Sequence, residues 1–320
     1  MRKKLMLLSG SQMAAQLSYY IQQILTDIAV TFGHSFLIIE NKISELSIKE
    51  YGSSITEEAI VAGADCDALF SIADDEEGLK ELSAGLGCIL CGHLYTLPDC
   101  LSEYSLLKSE EMPAGLISYP MTLDKAAFAL AANHLYKRAK AENSTVNEIP
   151  YQGSHLVSWE EVTDKVANKY YIMNPNRTDA SACLSQLLRF PESMGVVLAT
   201  KKACEILNEG AKSICGLPSF LFDVYWDDKG AKLFYVRTEQ TDSAENVSPF
   251  GLLYAAVDML KYSLQLEREA ACLLACINNV LEAGWRTADI ARKGQLHVTT
   301  EAIFNLISEQ IELVGEFIRH

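Results

Sequence analysis

The chain has 320 residues, 49% of them hydrophobic and 22% charged. That is enough to bury a full core in one large or two ordinary domains, and it excludes a disordered chain or a disulfide-stapled miniprotein. Forty-two acidic residues against 27 basic ones give a net charge of -15; such a surface is repelled by phosphate backbones, so nucleic acid is not an expected partner, and a small molecule or a metal ion is. Residues 1–4 are Met-Arg-Lys-Lys, followed by only four apolar residues before Ser9-Gly10, too few for a signal segment or a membrane span. Nine cysteines are scattered through apolar runs, which fits reduced thiols acting as small core hydrophobes in a cytoplasmic protein with no membrane association.

In chain order, residues 3–9 form an apolar run with strand character, ending at Ser9-Gly10-Ser11. Helical spacing follows through Met13, Leu17, Ile21, Ile24, Leu25 and Ile28, then a second strand at 35–39. A helix is expected at 56–63, where Glu57 and Glu58 suit its positive end, with strands at 67–72 and 88–94. Alternation of strand and helix is the rhythm of a mainly parallel sheet with helices on both faces. Cys88 and Cys91 have redox-motif spacing, but in a strand residues three apart point to opposite faces. Cys272 and Cys276, at i,i+4 in an apolar helix, read as core.

Further along, 116–119 reads as a short strand, 123–141 as a helix, and 143–154 as a polar connection. Residues 158–170 form an amphipathic helix with Ser158 as its cap, and 179–188 a helix that stops before Pro191. A strand at 195–200 leads into a helix at 202–213, broken by Gly216-Leu-Pro-Ser219. A turn at Asp227-Asp228-Lys229-Gly230 precedes a strand at 232–236, and 238–247 is a polar loop. Helices are expected at 250–264, 267–284 and 300–319.

The carboxyl-terminal third resembles the isocitrate/isopropylmalate dehydrogenase family. The resemblance is carried by Ser248-Pro249, the helix through Ala255-Ala256-Val-Asp-Met-Leu-Lys-Tyr-Ser-Leu264, Leu266-Glu267, Gly284-Trp-Arg-Thr-Ala-Asp-Ile-Ala291 and Val298-Thr-Thr300. Tyr51-Gly52, Glu58-Ala59, residues 64–69, Gln186-Leu-Leu-Arg189 with Pro191, Glu205-Ile-Leu-Asn-Glu209 and Gly216-Leu-Pro-Ser219 extend it over nearly the whole chain. It implies two α/β domains with a cleft between them: a discontinuous nucleotide-side domain of residues 1–98 plus 218–320, and a central domain, 99–217, that makes a dimer and carries the metal side. It also implies NAD(P), Mg²⁺ or Mn²⁺ on aspartates, a lysine–tyrosine acid/base pair, arginines on the substrate carboxylates, and residues crossing from a neighbouring subunit.

The positions that carry this chemistry are altered. Glu205 and Glu209 stand where the resemblance places two metal-binding aspartates, one face of a helix apart; the third position falls at Ser181, with Asp179 nearby. The lysine position falls at Ile149 or Pro150, neither of which carries a proton to exchange. The glycine-rich segment bearing the tyrosine is missing, leaving Tyr119 or Tyr151 as candidate acids. The arginine positions fall at Tyr95 and near Ser118, with His93 close by. Gly10, Arg237 and Asp242 are the cofactor-side candidates, although residues 236–246 lack the glycines that close backbone approach requires.

Loss of lysine, tyrosine, arginines and glycine loop together points to a non-catalytic paralogue, a pseudoenzyme. It would be a homodimer that binds a small acidic or neutral ligand, or a regulatory or structural subunit alongside an active family member. The competing expectation is an active NAD(P)- and metal-dependent 2-hydroxy-acid dehydrogenase of remodelled specificity, using Glu205, Glu209 and Asp179 for the metal.

Overall fold

Continuous apolar runs of six to eight residues need both faces covered, and the chain opens with them. The computed structural model describes residues 1–107, 113–151, 154–171, 175–217, 220–238, 247–295 and 297–319, with the backbone alone for 154–157. These fall into two compact units, Met1–Leu86 with Ala231–His320, and Gly87–Gly230.

In the first unit, β1 (Arg2–Ser9), β2 (Ser35–Lys42), β3 (Ala68–Ala73) and β10 (Ala231–Arg237) lie in the order β2-β1-β3-β10, all parallel. All six residues of β3, Ala-Leu-Phe-Ser-Ile-Ala, are buried, as a central parallel strand requires. Helix α1 (Gln12–Phe32) starts where the Ser11 hydroxyl accepts the Ala14 amide, and its apolar stripe Leu17, Ile21, Ile24, Ile28 is buried. Short helices α2 (Ser44–Tyr51), α3 (Glu57–Ala64) and α4 (Leu79–Gly85) follow; α2 and α4 were not foreseen from the sequence. The helix expected over 250–264 is α-helical as α9 (Phe250–Asp258) and widens to a π-helical turn at Met259–Ser263. Helices α10 (Glu267–Glu282) and α11 (Thr300–Arg319) complete the unit.

The second unit orders its strands β9-β4-β5-β8-β6-β7: Phe222–Trp226, Leu90–Thr96, Ala114–Pro120, Val196–Ala199, Val146–Ile149 and Asn176–Arg177. β4 runs antiparallel to β5 and β9, while β8 is parallel to β5 and β6, and β6 to β7. Because β4 pairs with both β5 and β9, these strands belong to the second unit, which therefore begins before residue 99 and ends after 217. Helices α5 (Lys125–Ala141) and α6 (Ser154–Tyr170) pack together, as do α7 (Ala180–Arg189) and α8 (Lys201–Cys215).

Two expectations need correction here. The segment 143–154 is not a plain connection: Val146–Ile149 is the buried strand β6, held between β8 and β7. Ser158 lies inside α6, which begins at Ser154, so it is not the cap. Cys88 precedes β4, and none of the nine cysteines is in a disulfide, with Cys100 alone partly exposed. No described helix is long and apolar enough to cross a membrane.

Candidate functional site

Helix α7 starts at Asp179, whose Oδ1 accepts the Ser181 amide at 2.8 Å and the Ala182 amide at 2.9 Å. Capping satisfies two orphan donors of the helix and directs this carboxylate at backbone. Helix α8 starts at Thr200, whose hydroxyl accepts the Ala203 amide. Glu205 and Glu209 lie one turn apart on the exposed side of α8, and Glu209 pairs with Lys212 at 2.6 Å. Within the single chain the three carboxylates are thus not gathered: among the described residues no group of three or more His, Cys, Asp or Glu side chains could hold a metal. One chain by itself therefore does not offer a divalent cation the converging oxygens it needs.

The acid/base positions are equally altered. Ile149 is buried in the core with Cys183, Leu187, Met194 and Val197. Tyr119, on β5, is half-buried; burial, with Cys91 beside it, pushes its hydroxyl well above the usual phenol range. It holds its proton more tightly than a free tyrosine, the reverse of what a neutral-pH acid needs. Tyr151 lies tilted against Trp159, ring centroids 5.8 Å apart. The arginine positions sit in the interior: Tyr95 is 2% exposed and its hydroxyl has no hydrogen-bond partner among the described residues, while the buried Ser118 hydroxyl donates to the Val197 carbonyl at 2.7 Å. His93 does not stand open to a ligand; its Nδ1 lies 2.6 Å from Asp223 Oδ1 across the β4–β9 pair.

On the first unit, Gly10 serves packing. A Cβ there would meet the Ala73 Cβ at 2.5 Å, and the Gly10 amide donates to the Ile72 carbonyl. Beyond the end of β3 stand Asp74, Asp75, Glu76 and Glu77. Asp74 Oδ1 accepts the Thr238 hydroxyl at 2.7 Å and the Ser11 hydroxyl at 3.4 Å, tying three strand ends together. Arg237 is exposed and sits 4.0 Å from Glu76. Ligands of parallel sheets bind outside the carboxyl ends of strands; among the described residues that end carries carboxylates, which do not fit a dinucleotide pyrophosphate. Asp242 lies outside the described residues.

A cavity of about 800 Å³ opens in the second unit. Its apolar wall includes Ile149, Pro150, Tyr151, Ala180 and Ile206, and its polar rim Arg177, Thr178, Asp179, Lys201 and Lys202. It thus joins four sequence-expected positions, Ile149, Pro150, Tyr151 and Asp179, to three cationic residues that sequence reasoning passed over. Arg177 is committed: its Nε donates to Glu148 at 3.0 Å, and one terminal nitrogen to Thr163 at 3.1 Å and Asp164 at 2.5 Å. Lys201 holds its ammonium 5.7 Å above the Tyr119 ring. Neither Lys201 nor Lys202 forms an ion pair among the described residues. The adjacent lysines were visible as a pair in sequence, but a pair at a helix start reads as a solvated face.

The profile of the family described as isocitrate/isopropylmalate dehydrogenase matches residues 122–307. The 3-isopropylmalate dehydrogenases of Shouchella clausii and Halalkalibacterium halodurans are each 23% identical, the alignments covering 98% of this chain and 98% of theirs. Among solved structures, isocitrate dehydrogenase from Methylococcus capsulatus shares the fold at a TM-score of 0.80 and 11% identity, covering 97% of this chain and 99% of that one. An apo beta-decarboxylating dehydrogenase from Thermococcus kodakarensis does so at 0.78 and 16%, covering 97% and 96%.

Proposed function

The chain belongs to the isocitrate/isopropylmalate dehydrogenase family, and from that premise we propose that it is a non-catalytic member, keeping the scaffold as a homodimer that binds a small ligand. The observation that carries this reading is the burial of the positions where the resemblance places chemistry. Tyr95, Ser118 and Ile149 are 2%, 0% and 5% exposed, so they are parts of the core and contribute no charge to a substrate. Each lost general acid or base costs about 10²–10⁴ in rate, and the missing guanidinium groups remove the bidentate grip on substrate carboxylates.

The active-dehydrogenase reading would need Glu205, Glu209 and Asp179 on one ion. The capping role of Asp179 and the pairing of Glu209 with Lys212 weigh against it. The exposed Leu188 and Phe190 at the end of α7 support a second copy of the chain as partner. Nine cysteines without a disulfide, all but Cys100 buried, support a reducing, cytoplasmic setting.

The test is a turnover assay. Homogeneous protein is mixed with NAD or NADP, Mg²⁺ or Mn²⁺, and isocitrate, isopropylmalate or other 2-hydroxy diacids. No reduction of nucleotide is expected above a protein-free control; enzyme-concentration-dependent reduction with any of them would overturn the reading.

A further inference from the structure

The cavity bordered by β6, α7 and α8 is lined by two lysines that form no ion pair among the described residues. The protein has 42 acidic residues for 27 basic ones, yet Lys201 and Lys202 stand at this rim without a carboxylate partner among the described residues. We infer that the cavity binds a small phosphate monoester with an apolar body, held directly by Lys201 and Lys202 without a divalent metal. The inference rests on the non-catalytic reading of this region and deepens it by naming the ligand class.

Three features argue for this chemistry. The volume, about 800 Å³, lies within the span of small-molecule sites, about 300–1,000 Å³, and Ile149, Pro150, Tyr151 and Ile206 offer a hydrocarbon or aromatic body an apolar wall. The positive charge comes from side chains: Asp179 keeps its own charge but is held on the α7 amides, and the two ammonium groups of Lys201 and Lys202 supply the charge that a metal otherwise brings to an anionic ligand. The head group follows from the kind of cation. A guanidinium fork would grip carboxylate or phosphate bidentately, but that of Arg177 is turned to Glu148, Thr163 and Asp164, which leaves the lysines to hold the head group. Lysine is a compact point charge with rotatable donors, suited to the tetrahedral oxygens and near-double charge of a phosphate monoester. The Tyr119 ring under Lys201 restrains one of the two ammonium groups at the rim.

Trp159, its ring centroid 5.8 Å from that of Tyr151, is one of three tryptophans and the one that reports on this wall. Phenyl phosphate is titrated into the full chain in EDTA, followed by tryptophan fluorescence and by calorimetry, with benzoate and inorganic phosphate in parallel. Saturable binding of one phenyl phosphate per chain is expected, tighter than either comparison probe. Lys201→Met and Lys202→Met should each weaken it by about tenfold, the scale of one lost charge-assisted hydrogen bond, while melting like the wild type without ligand. Absence of saturation, unchanged affinity in both variants, a requirement for Mn²⁺, or tighter binding of benzoate would each overturn the inference. The failures separate: nucleotide reduction by the same preparation overturns the non-catalytic reading, whereas absent saturation with no reduction overturns the ligand assignment alone.

Discussion

Glu148 has no exposed surface, and a carboxylate survives there only because donors surround it. The Tyr136 hydroxyl donates to one oxygen; Trp159 Nε1 at 3.0 Å, the Thr163 hydroxyl at 3.1 Å and Arg177 Nε at 3.0 Å share the other. Together they join α5, α6, β6 and β7. Burial and the neighbouring carboxylate push the Tyr136 hydroxyl upward, so it stays a donor. Glu148→Ala leaves Arg177 without its buried partner and is expected to cost about 3 kcal/mol, the lower end for a broken buried pair because Arg177 is partly exposed. Glu148→Gln retains an acceptor for Trp159 and Thr163 and should cost less. Urea denaturation of both variants tests the order: equal losses, or a loss below about 1 kcal/mol for the alanine, would mean that the network contributes shape and little stability.

At the scale of elements, what was legible in the sequence was local. Strands β1 and β3 and helices α1, α10 and α11 have uninterrupted period and clear ends, and their positions follow from it. Strand β6 does not, because Asn147 and Glu148 are buried polar residues satisfied from far along the chain: Asn147 Nδ2 donates to the Met194 carbonyl, and Glu148 accepts from Arg177. Strand β9 was missed because its burial comes from pairing with β4. The site was legible in the same uneven way. The cap Asp179 carries a local signal, a helix-start aspartate, whereas the lack of an ion pair at Lys201 and Lys202 among the described residues depends on which carboxylates the fold brings near. Helix ends give a sharper test. Gly216 closes α8 at φ +68, where a Cβ would stand 2.1 Å from the Tyr104 carbonyl; Gly33 closes α1 at φ +70 with open space around it. Gly33→Ala should therefore cost only the left-handed penalty, about 1–2 kcal/mol. Gly216→Ala should cost clearly more, since backbone must also shift. Thermal melts showing equal losses would mean that α8 ends more loosely than its geometry indicates.

At the scale of the whole molecule, a chain of charge -15 has to overcome self-repulsion to associate, so apolar contact must supply the drive. Leu188 and Phe190 are 42% and 51% exposed at the end of α7, with the Arg189 guanidinium 5.4 Å from the Phe190 ring. Leu313 and Phe317 on α11 are more exposed still, at 59% and 78%, so exposure alone does not choose between the two faces. The resemblance does, since it assigns the dimer to the central part of the chain, where α7 and α8 lie. Sedimentation of the wild type at physiological salt should give a homodimer, and Leu188→Asp with Phe190→Asp should give a folded monomer. Leu313→Asp with Phe317→Asp should leave the dimer intact. Because the repulsion between two acidic chains is screened beyond about 8 Å at 0.15 M salt, the wild-type dimer should also tighten as salt is raised. A monomer at every salt and concentration would overturn the homodimer, and dissociation by the α11 pair alone would move its interface to the other unit.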